Sequence, residues 1–215
     1  INPTHEIKNG GMARNVAANL NSLGIETKLI TNLNNINKTR YIDSRSNQQV
    51  LRVDVDDFCD QLDDKLLTTL DIEYDAVIIS DYCKGFLSES HIKYICDTYD
   101  NVFVDTKKRL GAWILNANYI KINEFEYSKT YDSIPDHPEL IEKLIVTKGK
   151  DGCEYKGEIF TVKEVSVRDV SGAGDTFISG LVAEYIKSKN IRTAIKFAQE
   201  CTSKVVQKAG VTTVR

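Results

Sequence analysis

The chain has 215 residues, of which 41% are hydrophobic and 27% charged, and its formal net charge is -3. This composition allows one sizeable hydrophobic core, and the absence of a basic cluster argues against a nucleic-acid-binding or membrane-surface protein. No apolar run is long enough to cross a bilayer, and no signal-peptide pattern opens the sequence. The cysteines and histidines are scattered, so we expect reduced thiols, a cytoplasmic location and no structural metal site.

The first third of the sequence predicts one helix and a small β structure. Apolar residues at helical spacing predict a helix over residues 12–23, which Gly24 would end. A strand is expected at residues 26–30. Two extended segments around a polar turn then predict a hairpin over residues 38–54, which we interpret as a small β lid.

From residue 60 onward, short apolar strands alternate with amphipathic helices. Helices are predicted at residues 61–70, 88–99, 138–144, 173–188 and 191–209, and strands at 75–81, 101–106, 118–123 and 144–149, followed by a hairpin around Lys156 and Gly157. Ser88 is a candidate N-cap. The alternation predicts a single α/β domain over residues 1–215, with a mostly parallel sheet and helices on both faces.

Polar segments follow the ends of several predicted strands. They are SDYCKG at residues 80–85, DTKK at 105–108, NEFE at 123–126, TKGKDG at 147–152, and DVSGAGD at 169–175 after the last hairpin. In open α/β sheets, ligands bind beyond the carboxyl ends of the strands. We therefore expect these segments to meet at one binding site.

The segment DVSGAGD predicts an anion site at the start of a helix. Gly172, Ala173 and Gly174 would form a turn whose free N–H groups, together with the helix dipole, favour a phosphoryl group. The same groups should keep Asp175 ionised, so that it can accept a proton from an attacking hydroxyl. The plainer alternative is an ordinary glycine turn with Asp175 as a helix cap. Neither a dinucleotide fingerprint nor a P-loop is present.

DVSGAGDTF resembles the C-terminal signature of the ribokinase / phosphofructokinase-B family of sugar kinases, and NGGMARNVAANLNSLG, residues 9–24, resembles its N-terminal signature. TKGKDG is similar to the family's TxGxxG nucleotide segment, and residues 123–126 fit its NxxE motif. Within the family, KTRYIDSRSNQQVLRVD, ISDYCKGFLS and VDTKK are similar to the heptose-7-phosphate kinases. The resemblance covers nearly the whole chain and implies a ribokinase-like fold.

The resemblance also implies a role for each matching position. Asp175 would be the catalytic base beside the anion hole of Gly172, Ala173 and Gly174. Asn123 and Glu126 would organise Mg²⁺ through water, and Asp169 would hold a monovalent cation such as K⁺. ATP would be bound by Thr147, Gly149 and Gly152. The sugar would be bound by Gly10, Gly11 and Asn15. Arg40, Lys84 and Lys107 are candidates for binding a phosphate already on the sugar.

Several of these positions have a plainer alternative. Asn15 could be an ordinary polar helix residue, and residues 47–49 could be a polar turn. The cations Lys84, Lys107 and Arg40 could be solvated surface residues. Glu124 also lies near the NxxE position, and only spacing favours Glu126.

The resemblance implies an ATP-dependent kinase that phosphorylates the anomeric hydroxyl of D-glycero-D-manno-heptose 7-phosphate to the 1,7-bisphosphate. Two alternatives remain open: a sugar kinase with another acceptor, and a non-catalytic module that binds a nucleotide or sugar phosphate. Relatives often dimerise through the β lid, so the 38–54 hairpin is a candidate homodimer interface.

The sequence departs from the family pattern at two places. The strand and aspartate expected before Gly10 are absent, and the stretch between Leu29 and Lys38 is short. Either the chain is a reduced relative, or segments are missing before about residue 7 and near residue 32. Intact catalytic motifs favour the second explanation. A Cα separation well above the ~3.8 Å of a trans peptide would demonstrate a gap at these points.

Overall fold

The computed structural model describes residues 4–6, 10–33, 36–46, 48–55, 58–70 and 73–215. The helices are α1 (Met12–Ser22), α2 (Asp64–Thr68), α3 (Glu89–Thr98), α4 (Glu124–Thr130), α5 (Ala173–Ser188) and α6 (Ile191–Val205). The strands are β1 (Asn37–Ile42), β2 (Gln49–Val55), β3 (Val77–Asp81), β4 (Val102–Thr106), β5 (Tyr119–Asn123), β6 (Leu144–Thr147), β7 (Cys153–Tyr155) and β8 (Glu158–Phe160). Within these ranges, no helix combines the length and apolar character needed to traverse a bilayer.

The central sheet has six strands in the order β3-β4-β5-β6-β7-β8. Strands β3 to β6 run parallel, and β7 and β8 form an antiparallel hairpin at one edge. Asp81 pairs with Thr106, and Asn123 pairs with Thr147, so neighbouring strands end at the same level. The polar segments that follow these strands therefore emerge along one edge of the sheet, as the sequence predicts.

Helices cover both faces of the sheet, which confirms the predicted architecture. Strand β4 is buried throughout and alternates its side chains between two cores. Phe103 packs in the core that holds α1, α5 and α6, whereas Val102 and Val104 pack in the core that holds α3. Burial on both faces explains why the strand is almost continuously apolar.

Strands β1 and β2 form a separate antiparallel hairpin, the predicted β lid. Two faces can be distinguished from its register. Lys38 and Arg40 lie opposite Asp54 and Arg52 on the polar face, and the other face carries Leu51, Val53 and Val55, which are 46%, 38% and 47% exposed. An isolated hairpin of two strands is only marginally stable in water, so further packing is expected to support it.

Two secondary-structure predictions were wrong, and one helix was missed. Residues 26–30 form no strand, since none of the described strands pairs with them. The helix predicted at residues 138–144 is only a 3-10 turn, Pro138–Leu140, since the chain then enters β6 at Leu144. Helix α4 was missed. By contrast, Ser88 caps α3 as predicted, since its hydroxyl accepts a hydrogen bond of 3.1 Å from the His91 amide.

Among the residues that the structure describes, no strand precedes β1, and β3 forms an edge of the central sheet. The predicted gaps, before about residue 7 and near residue 32, adjoin residues 7–9 and 34–35, which fall outside the described residues, as does Asn47.

Candidate active site

The first turn of α5 carries Asp175, whose side chain is almost fully buried at 4% exposure. Its Oδ2 accepts a hydrogen bond of 2.8 Å from the Asn15 amide, and its Oδ1 accepts one of 2.8 Å from the Tyr82 hydroxyl. Gly172 caps the helix with a φ of 79°, and a Cβ there would lie 2.7 Å from Nδ2 of Asn15. Glycine at this position therefore permits both the left-handed turn and the close approach of α1.

Burial raises the pKa of Asp175, while the hydrogen bonds from Asn15 and Tyr82 act in the opposite direction. The negative charge of Asp105 raises this pKa further. The sequence argument expected the donors at the helix start to keep the carboxylate ionised; burial is the largest effect on this pKa and acts against the ionised form. A buried carboxylate with a raised pKa is a stronger base, which suits proton abstraction.

A buried ion pair lies beneath the Gly-Ala-Gly turn. Nζ of Lys121 lies 2.8 Å from Oδ2 of Asp105, and the two side chains are 6% and 9% exposed. A Cβ on Gly174 would be 2.9 Å from the Lys121 ammonium. Burial alone would lower the pKa of Lys121, but Asp105 raises it, so the group stays cationic. The N-terminus of α5 favours an anion at this turn, whereas the charge of Lys121 is already paired with Asp105. The Ala173 N–H donates a hydrogen bond of 3.1 Å to the Val170 carbonyl, so of the predicted anion hole Gly172 and Gly174 remain as donors.

Asn123 and Glu126 form a capping box at the start of α4. The Asn123 side chain accepts a hydrogen bond of 2.9 Å from the Glu126 amide, and Oε2 of Glu126 accepts one of 2.8 Å from the Asn123 amide. Glu126 is 9% exposed, whereas Glu124 is exposed, so the geometry distinguishes two residues that sequence spacing left ambiguous. No group of three metal-ligating side chains occurs in the described part of the chain. Carboxylate and amide oxygens such as those of Glu126 and Asn123 are ligands of the type that Mg²⁺ prefers, and their role toward Mg²⁺ stays a prediction.

The TKGKDG segment follows β6. The Thr147 hydroxyl donates a hydrogen bond of 3.3 Å to the Ile122 carbonyl, which ties the segment to β5. Gly149 and Gly152 have φ values of 57° and 89° at either side of a short turn. A Cβ on Gly152 would lie 1.9 Å from the Phe160 carbonyl oxygen, but none on Gly149 would meet an atom within 4 Å. Gly152 is thus required for packing against β8, and Gly149 faces open space.

Lys107 lies where the charges of several segments act, near the ends of β3 and β4. Burial lowers the pKa of Lys107, the negative charges of Glu126 and Asp105 act in the opposite direction, and the positive charges of Lys38 and Lys84 lower it further. Lys108 instead binds Asp81 at 2.5 Å, so Lys107 is the lysine of the DTKK segment that interacts with Lys38 and Lys84. We call Lys38, Lys84 and Lys107 the lysine cluster.

The positive charge of Arg40 acts on Asp169. Burial would raise the pKa of Asp169, but hydrogen bonds from Ser171 and Gly210, together with Arg40, lower it overall. Oδ1 accepts a bond of 2.8 Å from the Ser171 amide, and Oδ2 accepts one of 3.0 Å from the Gly210 amide. Asp169 therefore fixes the turn before Gly172, and its role toward a monovalent cation stays a prediction.

The N-terminal signature forms the start of α1. Gly11 caps this helix with a φ of 66°, and Gly10 packs against the Arg14 side chain. Asn15 directs its amide at Asp175, and the Asn19 side chain holds Oδ1 of Asn15 at 3.2 Å. A pocket of about 370 Å³ lies beside them and is lined by Gly10, Arg14, Asn15, Ala18, Val211, Thr212 and Thr213. In this arrangement Asn15 contacts Asp175, and sugar binding by these residues stays a prediction.

Residues 88–215, more than half of the chain, match the family profile described as pfkB family carbohydrate kinase. This chain belongs to the PfkB family. It is 31% identical over 217 residues to the bifunctional protein HldE of Nitratiruptor sp., an alignment that covers 88% of this chain and 46% of the relative. It is 30% identical over 190 residues to HldE of Hydrogenovibrio crunogenus, covering 78% and 40%. The chain thus spans about half the length of the curated relatives it matches.

Solved structures show the same fold as this PfkB-family kinase. A Burkholderia thailandensis nucleoside kinase in complex with inosine aligns with a TM-score of 0.69 at 17% identity, over 93% of this chain and 80% of that one. A ribokinase from Thermotoga maritima aligns with a TM-score of 0.63 at 16% identity, over 89% and 69%. These likenesses confirm the ribokinase-like fold that the motifs predict.

The sequence argument missed three residues of the PfkB-family site. Tyr82 contacts Asp175, Lys121 lies under Gly174, and Lys38 of the lid acts on Lys107. Tyr82 belongs to a polar segment that the sequence did single out, and that position was the available signal. The roles of Lys121 and Lys38 depend on contacts between distant segments, which no local pattern reports.

Proposed function

We propose that this PfkB-family kinase transfers the γ-phosphoryl group of ATP to the anomeric hydroxyl of D-glycero-D-manno-heptose 7-phosphate. One observation carries the proposal: the buried carboxylate of Asp175 lies on the same edge of the sheet as the cluster of Lys38, Lys84 and Lys107. Such a site offers a base for a hydroxyl and cations for an anionic group on the same acceptor. The resemblance of residues 38–54, 79–88 and 104–108 to heptose-7-phosphate kinases supports this substrate.

The residues of α5 would act on both reacting groups. The N–H groups of Gly172 and Gly174, at the N-terminus of α5, would donate hydrogen bonds to the transferring phosphoryl group. The Ala173 N–H instead donates a hydrogen bond of 3.1 Å to the Val170 carbonyl. Asp175 would orient the acceptor hydroxyl and accept its proton as the new O–P bond forms. The proton therefore ends on Oδ1 or Oδ2 of Asp175, and ADP leaves with the electrons of the broken bond.

We propose that the nucleotide lies over the ends of β5 and β6. Thr147 and Gly149 would line its binding segment, and Asn123 and Glu126 would orient the waters of a magnesium ion. When bound, Mg²⁺ would neutralise charge on the ATP phosphates. Gly152 would support the segment through its packing on β8 rather than by contact with ATP.

The lysine cluster favours a phosphorylated acceptor over a neutral sugar. Lys38 lies 4.0 Å from Asp54, and the Lys84 carbonyl accepts a hydrogen bond of 2.8 Å from the Cys59 amide, so both segments are anchored. A phosphate dianion would pair with the ammonium groups of the cluster, whereas a neutral hydroxymethyl group would not.

The test is ADP release from Mg·ATP with heptose 7-phosphate, compared with fructose 6-phosphate, ribose and a control without sugar. We expect turnover that depends on heptose 7-phosphate. Turnover with ribose alone would identify a kinase with a neutral acceptor, and a folded chain that binds ATP but phosphorylates no sugar would contradict the proposal.

Lys107→Met should raise the KM for heptose 7-phosphate by about 10- to 100-fold, because one charge-assisted hydrogen bond of ~1.5–3 kcal/mol is lost. Its ammonium lies 4.2 Å from the Tyr82 ring centroid. Lys129→Met is a matched control, since Lys129 lies 4.1 Å from the Phe125 ring and outside the cluster. Steady-state kinetics with both variants measure the effect. Equal KM values for Lys107→Met and Lys129→Met would contradict a phosphate-binding role.

We also propose that the lid hairpin joins two copies of this chain. Its polar face carries Lys38 and Arg40, whose charges act on Lys107 and Asp169, so this face belongs to the active site. The opposite face exposes Leu51, Val53 and Val55, and the hairpin pairs with no described strand of the central sheet. Apposition of two such faces would bury the apolar residues and stabilise both hairpins.

Val53→Lys should convert a dimer into a monomer, because it places a charge at the centre of the apolar face. Light scattering after size exclusion should give the wild type a mass near twice 24.2 kDa. Ile159→Lys, at a strand residue 60% exposed on β8, should leave that mass unchanged. A wild-type monomer at all concentrations would exclude this interface.

Finally, we propose that residues 1–215 form one kinase domain and that it works in the cytoplasm. All five cysteines are unpaired, and three are buried, which suits a reducing compartment.

A further inference from the structure

Tyr82 follows β3 directly and links two parts of the active site. Its hydroxyl donates a hydrogen bond of 2.8 Å to Oδ1 of Asp175, a residue 93 positions further along the chain. The Lys107 ammonium lies over its ring, 4.2 Å from the centroid. One side chain therefore contacts both the proposed base and a lysine proposed to bind the acceptor's phosphate.

The Tyr82 hydroxyl remains a hydrogen-bond donor at physiological pH. Burial raises the pKa of Tyr82, and the negative charges of Asp175, Asp105 and Glu126 raise it further. A phenol in this environment stays protonated, and Asp175 is the acceptor that it faces. The direction of the hydrogen bond is thereby fixed, from Tyr82 to the carboxylate.

Two donors from opposite sides determine the orientation of the Asp175 carboxylate. Asn15 on α1 holds Oδ2, and Tyr82 at the end of β3 holds Oδ1, so rotation of the carboxylate would break one of the two bonds. Each carboxylate oxygen has two lone pairs. Oδ1 can therefore keep the bond from Tyr82 while its second lone pair accepts the proton of a sugar hydroxyl.

We propose that Tyr82 is a positioning residue of this kinase: its hydroxyl orients the Asp175 carboxylate toward the acceptor hydroxyl, and its ring seats Lys107 at the acceptor's phosphate. The inference rests on the proposed function. The two contacts use different parts of the side chain, because the hydroxyl serves the base and the ring face serves the ammonium. Two substitutions can therefore separate them.

Tyr82→Phe removes the hydroxyl and keeps the ring. We expect kcat to fall by about 10- to 100-fold, as for loss of a hydrogen bond to a charged group, while the KM for heptose 7-phosphate changes little. Tyr82→Leu removes both contacts and should also raise that KM. Tyr94→Phe, at a tyrosine 38% exposed on α3, is the matched control and should change neither constant.

The pH profile distinguishes positioning from a merely structural role. The hydrogen bond from Tyr82 lowers the pKa of Asp175, so its removal should raise that pKa further. Since the ionised form accepts the proton, the acidic limb of kcat/KM should move to higher pH in Tyr82→Phe. The other groups that act on Asp175 are Asn15, Asp105 and Lys121, and they are unchanged in this variant.

A direct titration makes the test independent of the substrate. The carboxyl carbons of ¹³C-aspartate-labelled protein are followed by NMR against pH, and the Asp175 signal is identified by its loss in Asp175→Asn. We expect the Asp175 midpoint to rise in Tyr82→Phe and to stay constant in Tyr94→Phe. An unchanged midpoint together with unchanged kcat would overturn the inference. If the Asp175 midpoint shifts in Tyr82→Phe but the wild type does not phosphorylate heptose 7-phosphate, only the proposed acceptor is overturned.

Discussion

Asp175→Asn should lower kcat for sugar phosphorylation by about 10²- to 10⁴-fold while ATP binding persists, because an amide cannot accept the proton of the attacking hydroxyl. The change is nearly isosteric. The amide oxygen can still accept a hydrogen bond from Asn15 or Tyr82, which contact the carboxylate at 2.8 Å each. The fold of the first turn of α5 should therefore remain, and the loss should appear in kcat.

Turnover is measured by ADP release, and ATP affinity by calorimetry in the absence of acceptor. Asp136→Asn is the matched control, since Asp136 is an exposed aspartate of the connection between α4 and β6. We expect wild-type kcat for this control. Retention of turnover in Asp175→Asn would exclude Asp175 as the base, and loss of ATP binding would show that the carboxylate supports the nucleotide site instead.

The fold could be predicted because its signals are local. Short apolar strands such as β4 are buried on both faces, and strand–helix alternation specifies parallel pairing. Helix α4 was missed because its seven residues carry little apolar periodicity and its start depends on the Asn123–Glu126 capping box. The sequence argument used the NxxE motif of Asn123 and Glu126 only as a sign of a magnesium site. The same two residues also mark the start of a helix.

The site could be predicted only in part. The glycine turn marked Asp175 by local chemistry, and the strand ends marked Lys84 and Lys107. The hydrogen bond between Asn15 and Asp175 joins residues 160 positions apart, and no local pattern specifies such a contact. The effect of burial on the pKa of Asp175 was also beyond the sequence, because it depends on the packing of α1 and β3 around the carboxylate.

Gly152→Ala should destabilise the protein by about 4 kcal/mol or more, a loss that places it among the most damaging single substitutions. Its φ of 89° is one that L-residues rarely adopt, and the added Cβ would lie 1.9 Å from the Phe160 carbonyl oxygen. That oxygen cannot easily withdraw, since it also accepts a hydrogen bond from the Gln199 amide and belongs to β8. The variant must therefore move either the turn after β6 or the β7–β8 hairpin.

Gly149→Ala separates the contribution of steric overlap from that of backbone strain. Gly149 also has a positive φ, of 57°, but an added Cβ would meet no atom within 4 Å. Only the left-handed conformation then disfavours alanine, at a cost of ~1–2 kcal/mol. Urea unfolding of both variants measures the difference in their stability. If Gly152→Ala accumulates as insoluble protein while Gly149→Ala stays soluble, Gly152→Ala is again the less stable variant. Equal stability of the two would show that the hairpin yields to the new methyl group, and the packing role assigned to Gly152 would then be wrong.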